Sequence, residues 1–434
     1  MLTYPSTSER FWRYRIFALT WCAYAGFYLC RKNFSVIMPA LKEELGYTTG
    51  DLAAIVTGYL AIYAVGQFAN GFMSDRSGPR LIVGLGLIVA VMSNVFMGVA
   101  ASSMALLFIL NLANGYAQST GWSGTIKNMS TWFHREERGV VMAWWSTCYA
   151  LGGAVATAFA TWVAFNAPFF EHIGWRRGFY APAGVLSVVT LCYIVFARNR
   201  PSDVGLEDHP ESVSGSDERD CHDGEQEDIV AIWKVVLTSK ALWVTGVMYF
   251  FLKMTRYSFL VWLPLYMVES AGYAADEAGY TSMVFELAGF IGIVLAGYVS
   301  DKLMGSRRSP VACLMLFGLA AACFIYPSLA AQKGWLNIAG LSFIGIMTFG
   351  PDALMTGAGA MDIGSQKAAG MASGIINGIG SIGAALSPIL VAKVSESSLG
   401  WDGLFPILMI FSVVAALLMA TNWNEGKLPA ERAV

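Results

Sequence analysis

Two arginines lie inside stretches of sequence that are otherwise almost wholly apolar. Arg31 sits in "YAGFYLCRKNFSVIMP" (24–39) and Arg256 in "YFFLKMTRYSFLVWLP" (249–264). Tyr24, Tyr28 and Arg31 are spaced i, i+4, i+7, so on a helix they share one face; Tyr249, Lys253 and Arg256 repeat the spacing. Burying an arginine in a membrane span costs about 2.5–3.5 kcal/mol or more unless something compensates. A side chain snorkelling to the interface would lower that cost, but Arg31 lies about two helical turns inside Pro39, an awkward depth for it. Neither helix carries an acid near its arginine. The remaining compensations are a carboxylate fixed on another helix and a bound anion, and the anion is favoured. A guanidinium offers a planar fork of donors that binds phosphate bidentately, and two forks suit a dianion.

Lys32, next to Arg31, is turned about 100° round the helix and cannot share its face. Glu286, in "MVFELAGFIG", is the intramembrane acid expected to neutralise it in a structural or gating salt bridge. Asp352, in "TFGPDALMTG", lies beside a Gly-Pro pair that opens the local backbone bonding. Its simplest role is neutralising Lys253; the alternatives are a proton-coupling carboxylate or a contact to a substrate amino group. Arg31, Lys32, Lys127, Lys253 and Arg256 outnumber Glu286 and Asp352, so the interior is cationic and the cargo is expected to be an anion.

The elements that must hold these residues are membrane helices. Of 434 residues, 56% are hydrophobic and 13% charged, about half the charge of a typical soluble domain. Apolar runs about 20 residues long recur throughout, which excludes a water-soluble enzyme built round one core. Twelve spans are expected, at roughly 15–38, 50–73, 80–101, 104–132, 137–166, 178–197, 241–269, 276–300, 309–328, 333–362, 366–394 and 399–421. Basic residues concentrate in alternate joints, which by the positive-inside rule puts both termini in the cytosol. Tyr24 maps to Tyr249, Tyr28 to Lys253, Arg31 to Arg256 and Pro39 to Pro264 at one constant offset, and Asp75 answers Asp301 at almost the same one. The chain therefore reads as an all-α membrane protein of two parallel six-helix repeats, residues 1–197 and 241–434, with substrate bound near the midplane. The joint at 198–240, with its acidic "EDHPESVSGSDERDCHDGEQED", reads as a flexible cytosolic tether.

Two joints carry a different task. In "GFMSDRSGPR" (71–80), Asp75 is expected to accept from a neighbouring helix N-terminus and from Arg135 or Arg138 of "FHREERG" (133–139), holding the cytosolic side shut, with Arg76 in the same gating set. Asp301 is the counterpart in the second repeat. The seven cysteines show no metal spacing and read as small hydrophobes; the histidines all fall in joints. No nucleophile, metal cluster or nucleotide loop is visible, so neither an enzyme, a cofactor, a metal nor a nucleic-acid partner is expected.

The G-x-x-x-D-R-x-G-x-R joint resembles the signature of the major facilitator superfamily. Within it, "YLCRKNFSVIMP", "HREERG", "RPSDVGL", "WLPLYM", "FELAGFIGIVLAGYVSDKL", "QKAAGMASG" and "GSIGAALSP" resemble the organophosphate:phosphate antiporter family over nearly the whole chain. The resemblance implies the major facilitator fold and exchange of a phosphorylated metabolite for inorganic phosphate, with Arg31 and Arg256 as the two phosphate-binding arginines and Tyr24 and Tyr28 beside them. It also draws Tyr149 and Gln67 into the site, at positions where the glycerol-3-phosphate branch has His and Lys. That branch has an Asp where Val261 stands, which leaves Lys32 to Glu286. Lys253 stands where that branch has Tyr, and Asp352 is not expected there. The reading is a monomeric exchanger in a bilayer, multi-pass in a cell membrane of bacterial inner-membrane type. Two rivals stand beside it: a proton-coupled anion symporter using Asp352, and a membrane sensor of a sugar phosphate.

Overall fold

A computed structural model describes residues 7–133, 141–142, 144–207, 238–305, 307–356 and 358–423; at 7, 68, 71, 72, 75, 76, 123, 358, 360–371 and 373 it describes the backbone alone. Among the described residues there is no strand. The long helices are α1 (Thr7–Leu45), α2 (Thr49–Ser77), α3 (Pro79–Ala100), α4 (Met104–Trp132), α5 (Thr147–Thr161), α6 (Arg177–Phe196), α7 (Lys240–Glu269), α8 (Ala275–Tyr298), α9 (Arg308–Ala331), α10 (Gly334–Thr356), α11 (Ala358–Ser395) and α12 (Leu404–Thr421). Each expected span has its helix. Short π-helical turns, Trp162–Asn166 and Val299–Leu303, continue α5 and α8.

Among the described residues, nine of the twelve are long and apolar enough to cross a membrane by length and composition. The other three, α1, α4 and α7, are among the longest of these helices. They carry polar residues described below, which lower their apolarity.

The sequence places a joint at 363–365, whereas these residues are helical, within α11. A helix that outruns the hydrocarbon layer keeps its backbone bonds whatever its side chains, so polarity alone does not mark where it ends. The chain folds as two compact units, Met1–Ala40 with Gly58–Asp220, and Leu41–Thr57 with Cys221–Val434. The joint between α1 and α2 thus belongs to the second unit. There Lys42 Nζ donates to Thr49 Oγ1 at 2.7 Å and bridges to Glu269 at 2.5 Å, and Glu396 accepts from the Gly50 N–H at 2.7 Å. The expected tether lies mostly outside the described residues.

Both first helices of the repeats stop in the same way. After α1, Gly46 (φ 72°) lets Tyr47 N–H return to the Leu41 carbonyl; after α7, Gly272 (φ 67°) lets Tyr273 N–H return to the Met267 carbonyl. A left-handed residue at this position satisfies carbonyls that the helix end would leave open.

The first unit is built round Phe27, Leu87, Leu186 and Tyr193, with α3 against α4 and α6. A second cluster gathers Tyr24, Trp132, Trp145 and Cys148, with Tyr28 and Tyr149 packed on it. In the second unit α7 packs on α11, and α8 on α10. The last pair meets backbone to backbone: a Cβ on Gly292 would lie 2.4 Å from the Ile346 carbonyl oxygen, and one on Gly345 would lie 2.4 Å from that of Phe285. Small residues at such contacts let membrane helices gain close packing where no hydrophobic drive exists.

Gly292→Ala should therefore force α8 and α10 apart and cost about 1–3 kcal/mol, read as a lower thermal unfolding midpoint of the purified protein. Gly297→Ala, five residues along the same helix with nothing within 4 Å of its Cβ, should leave the midpoint unchanged or slightly raised.

Candidate functional site

In the first unit the site begins with a carbonyl and an amide. The NH₂ of fully buried Gln118, on α4, donates to the Cys30 carbonyl at 3.0 Å and to Asn114 Oδ1 at 3.1 Å. With both amide hydrogens engaged, Oε1 faces two donors, Arg31 Nε at 2.7 Å and the Tyr59 hydroxyl at 3.1 Å. The opposite amide orientation would set donors against donors, so the network fixes the assignment. Asn114 also donates to the Cys30 carbonyl, at 2.9 Å. One residue of α1 before the arginine is thereby tied to α4 twice.

The Arg31 guanidinium lies over the rings of Tyr28, 4.7 Å to the centroid, and Tyr63, 5.0 Å. Ring faces attract a cation without neutralising it. Gln67 donates to the Tyr63 hydroxyl at 2.9 Å, so it stands one link behind that ring. Tyr24 is buried against Tyr28, Trp122 and Trp145, and Tyr149 packs on the same aromatic group. Among the described residues every partner of Arg31 is neutral, and its Nη2 is buried with no hydrogen-bond partner there. The unit therefore keeps an undiminished positive charge in a fixed place, with a donor to spare.

The second unit has a related arrangement, again with an arginine and a tyrosine hydroxyl on one acceptor. On α7, Arg256 Nη1 meets Asp352 Oδ2 of α10 at 2.7 Å, while the Tyr249 hydroxyl donates to Asp352 Oδ1 at 2.7 Å. The Arg256 guanidinium lies 4.2 Å from the Phe349 ring centroid. Lys253 lies over Tyr249 at 4.9 Å and reaches Asn377 Oδ1 of α11 at 3.4 Å. Asp352, expected beside Lys253, is thus held by Arg256 and Tyr249. Both side chains of the ion pair are largely shielded, at 14% and 10% exposure.

The remaining candidates fall in three groups. Lys32 and Glu286 are each buried, at 5% exposure, in their own units. Asp301 is paired with Arg308, whose Nη1 also donates to Ser300 Oγ at 2.8 Å, so it ties the end of α8 to the start of α9. Arg135 and Arg138 lie outside the described residues, as do the side chains of Asp75 and Arg76.

The sequence reading missed Gln118, Tyr59, Tyr63, Phe349 and Asn377. A signal existed for the first: in "NLANGYAQSTGW" three amides interrupt an apolar helix at i, i+3 and i+7, one stripe of a helix face. For Phe349 there was none, since an aromatic in a span is ordinary.

A family model described as Major Facilitator Superfamily matches residues 20–361. The chain belongs to that superfamily. Among its relatives, a glycerol-3-phosphate transporter of Bacillus subtilis is 28% identical, covering 96% of this chain and 93% of the relative. A probable hexose phosphate transport protein of Chlamydia trachomatis is 30% identical, over 96% and 92%. The membrane sensor protein UhpC of Salmonella typhimurium is 30% identical, over 96% and 92%. These relatives bear out the likeness to the organophosphate:phosphate antiporter family, a family of transporters and not enzymes. A crystal structure of a bacterial homolog to the human lysosomal transporter Spinster superposes with a TM-score of 0.75 at 14% identity, over 95% of each chain, and so shares the fold.

Gln118→Leu should leave the buried Nε of Arg31 and the Tyr59 hydroxyl without their acceptor. A cost of about 1–3 kcal/mol is expected, measured as a fall in thermal midpoint. Gln118→Glu should give no gain either, because the carboxylate that pairs with Arg31 sets its second oxygen against the Cys30 carbonyl and Asn114 Oδ1.

Proposed function

We propose that the chain exchanges a phosphorylated small metabolite, of the sugar-phosphate or glycerol-phosphate type, for inorganic phosphate by alternating access. The observation that carries this is Arg31, a buried cation held only by neutral groups with a donor unengaged. Such a charge is costly in a bilayer unless an anion answers it. The phosphate-ester class comes from the printed functions of the relatives.

Arg31 and Arg256 are assigned to the phosphate, with Tyr24 and Tyr28 beside the first. Tyr149, Gln67 and Lys253 are assigned to the organic half of the ligand, together with Asp352. Lys32 and Glu286 are assigned to a latch between the repeats; Asp75, Arg76, Arg135 and Arg138 to closure of the cytosolic side, where both termini lie. Asp301 shares that role through its pair with Arg308. Without an anion the two arginines repel, which disfavours crossing of the unloaded carrier and enforces exchange. The working unit is a monomer in a bacterial inner membrane.

A proton-coupled symport through Asp352 is the second reading, favoured by the buried Arg256–Asp352 pair, since a proton on the carboxylate would release the arginine. The identity with a sensor makes a third outcome testable in the same assay.

Proteoliposomes loaded with phosphate should take up labelled glycerol 3-phosphate or hexose 6-phosphate, and unloaded ones should not. Uptake that needs a pH gradient and no internal phosphate would establish symport instead, and no uptake of any phosphate ester would favour the sensor. Arg31→Lys and Arg256→Lys should each lower uptake by at least about tenfold, the loss of one charge-assisted bond of the fork; wild-type rates in both would remove them from the site.

A further inference from the structure

The two units give their arginines acceptors of different charge. In each, a polar side chain from the fourth helix of the repeat accepts from both an arginine and a tyrosine hydroxyl. In the first unit that acceptor is the neutral amide of Gln118; in the second it is the carboxylate of Asp352. The atoms engaged also differ. Gln118 takes Nε, on the stem side of the guanidinium, whereas Asp352 takes Nη1, at the end of the fork. A phosphate seeking the fork of Arg256 therefore meets a carboxylate already bonded there.

We infer that Asp352 is the specificity-determining residue of the anion site: it yields the fork of Arg256 only to a ligand that brings a hydrogen-bond donor of its own. The inference rests on the phosphate-exchange reading. When an anion takes Nη1, the Asp352 carboxylate loses its charged partner and keeps only the Tyr249 hydroxyl, on Oδ1. An ionised carboxylate has acceptor capacity for several donors, and leaving it short of them in a shielded place is costly. Its nearest remedy is a donor on the incoming molecule. Monohydrogen phosphate brings its own P–O–H, and a sugar or glycerol phosphate brings a hydroxyl of its organic half; an ammonium would serve as well. Sulfate is the matched counter-example. It has the size and charge of the phosphate dianion and, fully ionised near neutral pH, no hydrogen to donate. Against sulfate, Asp352 is an unpaired negative charge facing another. A site built to accept a hydrogen bond from its ligand rejects an analogue lacking the donor far more strongly than a merely apolar pocket rejects a missing group. The ligand class is thus narrowed from anions of phosphate shape to donor-bearing phosphates.

The test is equilibrium binding of inorganic phosphate and sulfate to the purified full-length protein near neutral pH. The wild type should prefer phosphate by at least about tenfold. Asp352→Asn, which gives the second unit the amide that the first already has, should bring the two affinities within about threefold, chiefly by tightening sulfate. Asp352→Glu should keep the preference. A structural role alone would lower both affinities together and leave their ratio in place, so an unchanged ratio in Asp352→Asn overturns the inference. Should that variant not fold, the wild type still decides: equal affinities for phosphate and sulfate overturn it. Wild-type protein that binds neither inorganic phosphate nor a phosphate ester would instead overturn the exchange reading beneath it.

Discussion

The structure depends on keeping guanidinium groups charged among apolar helices. An arginine cannot shed its proton, so the cost of its burial has to be met by neighbours rather than by titration. In the first unit the neighbours are an amide, two aromatic faces and nothing charged. That choice holds the cation in place while leaving its field outward. The amide is in turn immobilised by a backbone carbonyl and a second amide, so that two helices contribute to the position of one charge. The composition of α1, α4 and α7 follows from the same constraint, since these are the helices that pass below the apolar standard of the other nine.

The repeat shows how far such an arrangement can vary. In both units an acceptor on the fourth helix of the repeat takes an arginine and a tyrosine hydroxyl, but the tyrosine comes from the second helix in one unit and from the first in the other, and the acceptor changes from amide to carboxylate. With the carboxylate, the field of the arginine closes into an internal pair.

Much of this was legible in the sequence because a fixed offset is a strong signal. Arg31, Arg256 and the prolines that follow them announce two homologous helices without reference to structure, and the apolar runs give the number of spans. The partner of Asp352 was not legible. Lys253 and Arg256 lie three residues apart, about 60° round the helix, and choosing between them requires the position of α10, which no spacing encodes. Gln118 was overlooked because a polar residue in a membrane helix draws attention mainly when it is charged. The joint expected at 363–365 was misplaced because polarity reports the edge of the bilayer and not the end of a helix. The attachment of residues 41–57 to the second unit is a matter of tertiary contacts alone, made by Lys42, Glu269, Gly50 and Glu396.

The contact between α8 and α10 has a consequence for life in membranes of different thickness. Where Gly292 meets Ile346 and Gly345 meets Phe285, backbone lies on backbone with no side chain between. Helices that meet through long side chains can slide a little by changing rotamers; these two cannot. A thicker or thinner bilayer usually draws helices into new tilts at a modest cost for each ångström of mismatch. Here α8 and α10 must answer as one plate, tilting together or leaving the lipid to stretch or compress around them. The lipids next to that plate, and not the plate, are the part that gives.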